Sequence, residues 1–481
     1  MLEILLIMFN KKSKVWFNGK ICLAEDININ WNLPYLMEEP SKGQGTGFFI
    51  DDCHILTCAH VVNSARNVYV EIPEINSGKY ECDIIFICPQ FDIALLKTKK
   101  YKSKCFLQLG DSDKLSVGKE VQVVGYPVSY SSASSNVNNL KYTVGIISGQ
   151  QKGFIQTDSA INPGNSGGPL FCNNKIIGIN SMKLVGESLE NIGYAIPINY
   201  YKVIQHEKDK IIYRPNLLFE FNNTDKHIIK ELTNGKTDSG IIVSKIYDVS
   251  PLKDTGIKKD SIITEINDIK IDNYGLTSNY KWLGTSINID VLLNKFKNND
   301  TITIKYYNIS SNKLLSSKIK LVPYVPQTRL IYPTFETTDY FILGGIIFMN
   351  FTANHLLNID RSRIDLLYLM TKPEELLKPK LIASFIFPNS KVDILNNIGN
   401  SDFITKVNDI TVNSLDTLKH ALKKPIIVNG ISYIKIESER ENSIILSIED
   451  IVEQDILFSE IYKYPLNEFH KKYMKKINVL K

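Results

Sequence analysis

The sequence predicts a multidomain protein in which an all-β first part is followed by two copies of a smaller α+β module. Three observations lead to this class. A chain of 481 residues is too long for one ordinary hydrophobic core. Short β-type runs separated by Gly, Asn, Asp, Ser and Pro clusters fill residues 14–200. An internal repeat marks the second half of the chain.

The first part reads as a series of short strands that predicts a β-sandwich or a pair of β-barrels. The runs are "GTGFFI", "NVYVEI", "CDIIFI", "DIALLK", "VQVVGY" and "KIIGIN". A charged helical run, "IPINYYKVIQHEKDK", follows them. We therefore place the first domain at residues 14–206.

The repeat consists of "DSIITEINDIKIDNY" at 260–274 and "SDFITKVNDITVNSL" at 401–415, which align without gaps. In each copy two apolar strands flank Asn-Asp, a pair that tolerates left-handed backbone and predicts a hairpin turn. A candidate amphipathic helix follows each copy. The modules are expected at 214–323 and 336–455, with a basic C-terminal tail at 456–481. Its last part, "HKKYMKKINVLK" at 470–481, is either a solvated helix or a binding segment.

The composition is typical of a globular protein, with 43% hydrophobic and 22% charged residues. A net charge of +5 gives no reason to expect nucleic acid or membrane as a partner. The seven cysteines have no zinc-type spacing, which indicates free thiols in a reducing compartment. No metal or organic cofactor is expected for the function derived below. The N-terminal run "MLEILLIMFNKK" is too short to span a bilayer. An intracellular site, cytoplasm or nucleus, is favoured, and an organelle or secretory route stays open as the alternative.

A candidate nucleophile lies in "DSAINPGNSGGPLF", where Gly and Pro surround Ser166. A serine hydroxyl needs a nearby base that a third group orients. His60 ends the apolar run "ILTCAHVV", whereas His54 lies in an Asp-rich turn. Asp92 directly precedes the apolar run "IALLK" and would need a partner if buried. The sequence therefore predicts base, orienting acid and nucleophile in the order His60, Asp92, Ser166.

With this order and the motifs "GTGFFIDDCHILTCAHVV", "FDIALLK" and "TDSAINPGNSGGPLF", the sequence resembles the HtrA/Deg (Do-like) family of the trypsin-like superfamily. The resemblance implies a double β-barrel and catalysis by His60, Asp92 and Ser166. It also implies an oxyanion hole formed by the amides of Gly164 and Ser166, with Asn165 shaping the turn. Digestive proteases carry Asp at the position of Asn165, so activation by a newly cut N-terminus lacks its ion-pair acceptor here.

The resemblance also suggests a substrate pocket. The stretch "NIGYAIPI" at 191–198 resembles the strand that lines this pocket, which points to Ile192, Gly193 and Tyr194. Ala160 stands where the trypsin pattern carries an acid that defines specificity. We therefore expect cleavage after small or medium apolar residues rather than after Lys or Arg.

The repeated modules resemble PDZ domains, which bind an extended peptide as an added strand and hold its terminal carboxylate with loop amides. The candidate carboxylate loops are "RPNLLFEF" in the first module and "YFILGG" in the second. The insertion at 361–378 is a candidate to occupy the second groove. The alternative is that both modules only hold subunits together.

The domain order resembles the eukaryotic Do-like branch with a degenerate second PDZ-like domain. It implies an ATP-independent serine endopeptidase in protein quality control, a homo-oligomer built from trimers that acts on unfolded or selected proteins and peptides. Nucleic acid and a membrane span are not expected. The alternative from another class is a catalytically silent peptide-binding scaffold or holdase chaperone.

Overall fold

A computed structural model describes residues 18–25, 29–36, 42–72, 76–127, 140–181, 192–358, 368 and 372–477. The N-terminal apolar run and most of the expected insertion at 361–378 lie outside the described residues. The chain forms two compact units. Unit 1 comprises Met1–Asp26 and Ser41–Tyr324, and unit 2 comprises Ile27–Pro40 and Val325–Lys481.

Unit 1 begins with a closed antiparallel barrel in the strand order β1-β2-β3-β6-β5-β4. Its β4 alternates buried and half-buried side chains, the period-two pattern of a strand with one face in a core. A short helix, α1, follows β3 and carries His60. The elements are β1 Asn18–Glu25, β2 Lys42–Phe49, β3 His54–Cys58, α1 Ala59–Val62, β4 Val68–Ile72, β5 Asn76–Cys88 and β6 Ile93–Thr98.

A second closed barrel follows in the order β10-β11-β12-β9-β8-β7. The prediction of two barrels is thus confirmed, and helix α2 closes the region as expected. The elements are a 3-10 helix Ser112–Lys114, β7 Glu120–Gly125, β8 Lys141–Gln151, β9 Phe154–Thr157, β10 Pro169–Cys172, β11 Lys175–Asn180, β12 Gly193–Pro197 and α2 Ile198–Ile204.

The first module completes unit 1 with a sheet in the order β13-β14-β15-β19-β20. Strand β13 ends this sheet, and β16 pairs with β15. The elements are β13 Phe219–Asn222, α3 Lys226–Leu232, β14 Ile241–Ile246, β15 Ile262–Ile266, β16 Ile269–Lys270, β17 Leu276–Trp282, β18 Thr285–Asn288, α4 Ile289–Leu293, β19 Thr301–Asn308 and β20 Lys313–Lys320.

The first module shares a core with the second barrel, so the two expected domains form one unit. Buried Val121 and Ile155 belong to the same apolar cluster as Leu292 of α4. The Trp282 indole N–H donates to the Ser112 carbonyl at 2.9 Å.

The second module belongs to unit 2 and repeats the pairing of the first module's central strands, with one strand added beyond the equivalent of β13. Its sheet runs β21-β22-β23-β24-β27-β26. Because β22 pairs with β23 as β13 pairs with β14, β21 is the added strand. The strands are β21 Tyr340–Leu343, β22 Ile346–Asn350, β23 Leu381–Ile386, β24 Phe403–Val407, β25 Ile410–Thr411, β26 Ile426–Val428, β27 Ile431–Ser438 and β28 Ser443–Ser447. The helices are a 3-10 helix Ala353–Asn358, α5 Pro373–Leu376, α6 Lys391–Leu395, α7 Leu415–Ala421, α8 Ile448–Tyr462 and α9 Glu468–Ile477.

The predicted Asn-Asp hairpins exist in both modules. Asn267 and Asp268 have φ of 47° and 62°, and Asn408 and Asp409 have φ of 52° and 62°. Positive φ at both central residues is the requirement of a type I′ hairpin turn. The aligned stretches are therefore equivalent structural elements.

The C-terminal region differs from the expected tail. The boundary expected between residues 455 and 456 lies inside α8, and 456–477 form packed helices rather than a solvated tail. Phe458, Phe469 and Tyr473 are buried in the cores of unit 2, which is the physical reason for the difference.

A second difference concerns the segment that precedes the first motifs, which we expected inside the domain at 14–206. Ile27–Pro40 belongs to unit 2. Trp31 is buried there, with its ring edge-on to His355 at a centroid distance of 5.4 Å. Within the described part of the chain, no helix is long and apolar enough to cross a membrane.

Candidate active site

Ser166 follows a tight turn whose shape depends on Pro163 and Gly164. The Asn165 N–H donates to the Asn162 carbonyl at 2.9 Å, and Gly164 has a φ of 95°. Pro followed by a residue of positive φ defines a type II β-turn. We call residues 162–166 the nucleophile turn. Its type II form sets the direction in which the Gly164 N–H points, because the peptide between the two central residues is reversed in a type I turn.

Thr46 on β2 holds the nucleophile turn against the first barrel. Its hydroxyl donates to the Gly164 carbonyl at 2.7 Å, and its N–H donates to the Ser166 carbonyl at 2.8 Å. The Thr46 side chain is fully buried. Two neighbouring carbonyls of the turn are therefore held by one residue of the other barrel. Sequence reasoning missed Thr46, since "GTGFF" gives no sign of a contact 118 residues away.

Gly167 allows this close approach between the barrels. Its φ is 85°, and a Cβ at this position would lie 2.1 Å from both the Thr46 carbonyl oxygen and the Thr57 hydroxyl. Any other residue would be strained in its backbone and would collide with β2 or β3. The Gly-rich motif therefore has a steric cause.

The predicted base and acid are joined by hydrogen bonds. His60 Nδ1 lies 2.7 Å from Asp92 Oδ2, and the His60 N–H donates to Asp92 Oδ1 at 2.9 Å. Because a carboxylate only accepts, Nδ1 carries the proton and Nε2 is left as the acceptor. The Asp92 side chain is 7% exposed and that of His60 is 27% exposed, so the imidazole reaches solvent.

Asp92 has a left-handed backbone, with a φ of 57°. Its carbonyl accepts from the Ala59 N–H at 3.0 Å, which ties the residue to α1. Asp tolerates this conformation better than most residues, but it still costs free energy. The fold therefore maintains a disfavoured backbone at the residue that orients His60.

Ser181 is a further member of this group that the sequence did not reveal. Its hydroxyl donates to Asp92 Oδ2 at 3.0 Å, and Ser181 is fully buried just after β11. Asp92 thus accepts hydrogen bonds from Ser181 and from two nitrogens of His60. These contacts hold the carboxylate in one orientation and offset the cost of burying it.

Cys58 lies beside the same group, and its Sγ donates to the Asn180 carbonyl at 3.2 Å. Burial, with a further contribution from the Asp92 charge, raises the pKa of the Cys58 thiol well above its usual value. The thiol is therefore neutral at physiological pH and acts here as a small buried side chain.

Two groups of side chains in the described part of the chain could share a metal ion: Asp51, Cys53 and His54, and Cys58, His60 and Asp92. In each group the histidine Nδ1 is already 2.7 Å from an Asp oxygen. These hydrogen bonds satisfy the groups without an ion. His54 belongs to a turn around Asp51, as its sequence context indicated.

The residues predicted to line the substrate pocket fall into two sets. Gly193 starts β12, where a Cβ would lie 2.8 Å from the Ser159 carbonyl oxygen and 2.9 Å from Ile161, next to exposed Ala160. Ile192 is half-buried beside Gly193. Tyr194 is buried, and its hydroxyl donates to the Gln151 side chain. The structure therefore brings the Ala160 segment and Gly193 together and directs the Tyr194 hydroxyl towards Gln151.

Comparisons with known proteins agree with this architecture. Residues 45–179 match the family described as Trypsin-like peptidase domain. The chain is 29% identical over 411 residues to Putative protease Do-like 3, mitochondrial, of Arabidopsis thaliana, covering 81% of this chain and 68% of that relative. It is 27% identical over 445 residues to Protease Do-like 4, mitochondrial, of the same plant, covering 88% and 80%.

A bacterial relative matches a shorter stretch. Probable periplasmic serine endoprotease DegP-like of Rickettsia prowazekii (strain Madrid E) is 32% identical over 271 residues, 52% of this chain and 50% of its own length. Among solved structures, HtrA-type protease AlgW with tripeptide has a TM-score of 0.48 and 21% identity, over 65% of this chain and 96% of that one. A TM-score this low adds nothing to the assignment.

The trypsin-like match runs from β2 of the first barrel to β11 of the second, and the similarity to the two Do-like relatives extends over 81% and 88% of the chain. These similarities support the HtrA/Deg (Do-like) family of trypsin-like serine proteases for this chain, which is a serine endopeptidase.

Proposed function

We propose that this endopeptidase cuts peptide bonds through an acyl-enzyme formed on Ser166, with His60 as general base and Asp92 as the group that orients it. The observation that carries the proposal is the hydrogen-bonded chain from Ser181 through Asp92 to His60. Gly167, which follows Ser166, donates its N–H to the carbonyl of Asn180, the residue before Ser181, at 2.8 Å. His60 Nε2 takes the Ser166 proton as Oγ attacks the carbonyl carbon. Asp92 stabilises the imidazolium that results.

His60 then gives this proton to the leaving amine, and the peptide C–N bond breaks. In the second half, His60 takes a proton from water as the water oxygen attacks the ester carbonyl carbon. His60 then gives this proton to Ser166 Oγ as the ester C–O bond breaks, which frees Ser166 and releases the new C-terminal carboxyl group. After both halves, His60 is again neutral and Ser166 again carries its hydroxyl proton. No metal or organic cofactor takes part in these reaction steps.

The negative oxygen that forms in both halves needs preorganised donors. We assign this role to the N–H groups of Gly164 and Ser166, with Asn165 between them. The type II turn and the two Thr46 contacts support the assignment, because they hold the backbone in one orientation before substrate arrives. Loss of one such donor typically lowers kcat by about 10²–10³-fold.

For the substrate pocket, we propose a preference for a small or medium apolar residue immediately before the cleaved peptide bond. Ala160 offers no acid for a Lys or Arg side chain, and Gly193 packs so closely against the Ser159 carbonyl oxygen that a Cβ there would lie only 2.8 Å from it. Sequencing the products from a peptide library checks this. Dominant cleavage after Lys or Arg would refute it.

Labelling with a fluorophosphonate tests the catalytic assignment. We expect a mass adduct on the tryptic peptide that contains Ser166, loss of the adduct in Ser166→Ala, and strongly slowed labelling in His60→Gln. Circular dichroism of both variants controls for folding. Folded protein that never labels at Ser166 would favour the silent scaffold or holdase instead.

For the first module we propose binding of an extended peptide along β13. This strand ends its sheet, and Glu220, Phe221 and Asn222 are exposed. An edge strand offers unpaired backbone groups to which a peptide strand can be added. Titration of Ser166→Ala protein with peptides of free and amidated C-terminus tests this, and the alternative of pure subunit packing predicts no binding of either.

Unfolded or selected proteins as substrates, and a trimer-based homo-oligomer, are part of the same proposal because they follow from the family resemblance. The names of the two Arabidopsis relatives favour a mitochondrial location over the cytoplasm or nucleus. Light scattering of purified protein and imaging of a C-terminally tagged chain test these two points.

A further inference from the structure

Two adjacent glycine amides in the second module bind a carboxylate of the same chain. Gly344 and Gly345 connect β21 to β22, with Leu343 opposite Ile346 in the hairpin register. Their φ values are 62° and 79°, as a two-residue type I′ turn requires. "YFILGG", the predicted carboxylate loop, is therefore a tight hairpin turn.

The carboxylate belongs to Asp455 on α8. The Gly344 N–H donates to Oδ2 at 2.7 Å, and the Gly345 N–H donates to Oδ1 at 2.9 Å. Each carboxylate oxygen thus receives one backbone amide. This is the arrangement in which consecutive backbone N–H groups capture an anion.

His470 on α9 completes the group. Its Nε2 lies 2.8 Å from Asp455 Oδ2, and both side chains are 0% exposed. The Asn467 N–H donates to His470 Nδ1 at 3.3 Å, which leaves Nε2 as the protonated nitrogen. Three donors therefore surround a carboxylate that has no access to solvent.

The strand edge beside these amides is also filled from within the chain. In the first module β13 ends its sheet, whereas the equivalent β22 pairs with β21 on that side. An incoming peptide strand would have to replace β21 before it could pair with β22. The amide pair and the strand edge are thus both occupied by the chain itself.

From these contacts we propose that Gly344, Gly345 and His470 form a carboxylate-binding site whose resident ligand is Asp455. When that side chain is removed, the site takes a small free carboxylate such as formate. This inference is independent of the function proposed for unit 1. It also means that the second module does not capture peptide C-termini through this amide pair, in contrast to the expectation from its sequence.

The test is chemical rescue of Asp455→Ala, made in full-length Ser166→Ala protein to prevent self-cleavage. The substitution leaves three donors without an acceptor, so we expect the melting temperature of unit 2 to fall by about 10 °C. Formate at ten times its Kd should then restore about 3 °C or more relative to equal sodium chloride. Val452→Ala, in the same helix and also fully buried, is the control that creates a cavity without free donors.

Formate that stabilises Asp455→Ala no more than Val452→Ala would overturn the proposal. Asp455→Asn provides a second test, which does not depend on rescue by formate. In protein labelled with ¹⁵N-glycine, loss of the carboxylate charge should move two glycine amide resonances upfield relative to Ser166→Ala protein. Unchanged glycine resonances would also contradict the assignment of Asp455 as the ligand.

Discussion

Two Asp–His pairs in the described part of the chain have a buried aspartate, and they differ in exposure and surroundings. In unit 1, His60 is 27% exposed and Asp92 is 7% exposed, and Ser181 donates to the same Asp92 carboxylate. In unit 2, His470 and Asp455 are both 0% exposed. The separations are nearly equal, 2.7 Å and 2.8 Å.

A short Asp–His contact alone therefore does not indicate catalysis. The first pair uses Nδ1 and leaves Nε2 available as a base, whereas in the second pair both ring nitrogens have partners. A base that must exchange protons with substrate and water needs one accessible nitrogen. We therefore expect changes in the first pair to reduce turnover and changes in the second to reduce stability.

Replacing each histidine with glutamine should separate the two roles most strongly. His60→Gln removes the base, so kcat/KM should fall on the order of 10⁴-fold or more, with the melting temperature almost unchanged. His470→Gln displaces the side-chain donor to a buried carboxylate, so unit 2 should melt about 3–8 °C lower while kcat/KM is retained. Peptidase assays and calorimetry on the same preparations measure both. Equal losses of kcat/KM in the two variants would contradict the different roles of the two pairs.

Ser181→Ala tests whether the Ser181 hydroxyl positions Asp92 in the first pair. Ser181 does not touch substrate in the proposed mechanism and acts by positioning Asp92, so we expect kcat/KM to fall by about 10-fold. The fall should come from kcat rather than KM. Ser250→Ala, which removes another buried hydroxyl in unit 1, is the matched control and should leave both constants unchanged. An unaltered kcat in Ser181→Ala would remove Ser181 from the site.

A buried histidine outside both pairs gives unit 2 a pH dependence of its own. Burial lowers the pKa of His355 to about 4. The unfolded chain therefore binds a proton below about pH 6.5 that the folded chain takes up only near pH 4, so stability falls as the pH drops. Between pH 7 and pH 5 the loss is about 2 kcal/mol.

Hydrogen exchange of β22, corrected for its intrinsic pH dependence, measures this loss. His355→Asn should abolish the difference, because Asn keeps an acceptor for the Thr352 N–H that now donates to His355 Nδ1 at 3.1 Å. Exposed His420→Asn should leave it intact. Persistence of the full pH effect in His355→Asn would assign it to other groups.

The sequence predicted the features that reside in local motifs. The two Asn-Asp hairpins and the barrel pair follow from residue types at short spacing, since turn chemistry and strand periodicity act locally. His60, Asp92 and Ser166 were predicted together from three local motifs and the resemblance they carry, and the structure joins His60 to Asp92. Gly167 and Gly168, which follow the nucleophile turn, were likewise readable, because a Cβ at either position would lie 2.1–2.2 Å from a backbone oxygen.

What the sequence missed depends on contacts between distant segments. Ser181 lies 89 residues from Asp92, and Asp455 lies 111 residues from Gly344. No local pattern announces such pairs. The same holds for Trp31, whose burial in unit 2 is decided by tertiary packing rather than by its neighbours in the chain. The basic charge of the C-terminal residues suggested a solvated tail. Their apolar side chains recur at helical spacing, and the burial of these side chains determines the structure instead.

The most direct test of the comparison is kcat/KM of Asp92→Asn beside Asp455→Asn on one apolar peptide substrate. In Asp92→Asn the new side-chain amide would donate to His60 Nδ1 and place the proton on Nε2, so the base is lost and kcat/KM should fall about 10⁴-fold. Asp455→Asn should keep kcat/KM within about twofold, because Asp455 and the proposed catalytic residues belong to different compact units, while it melts at a lower temperature. Near-normal turnover by folded Asp92→Asn, or an equal loss in Asp455→Asn, would contradict the roles assigned to the two pairs.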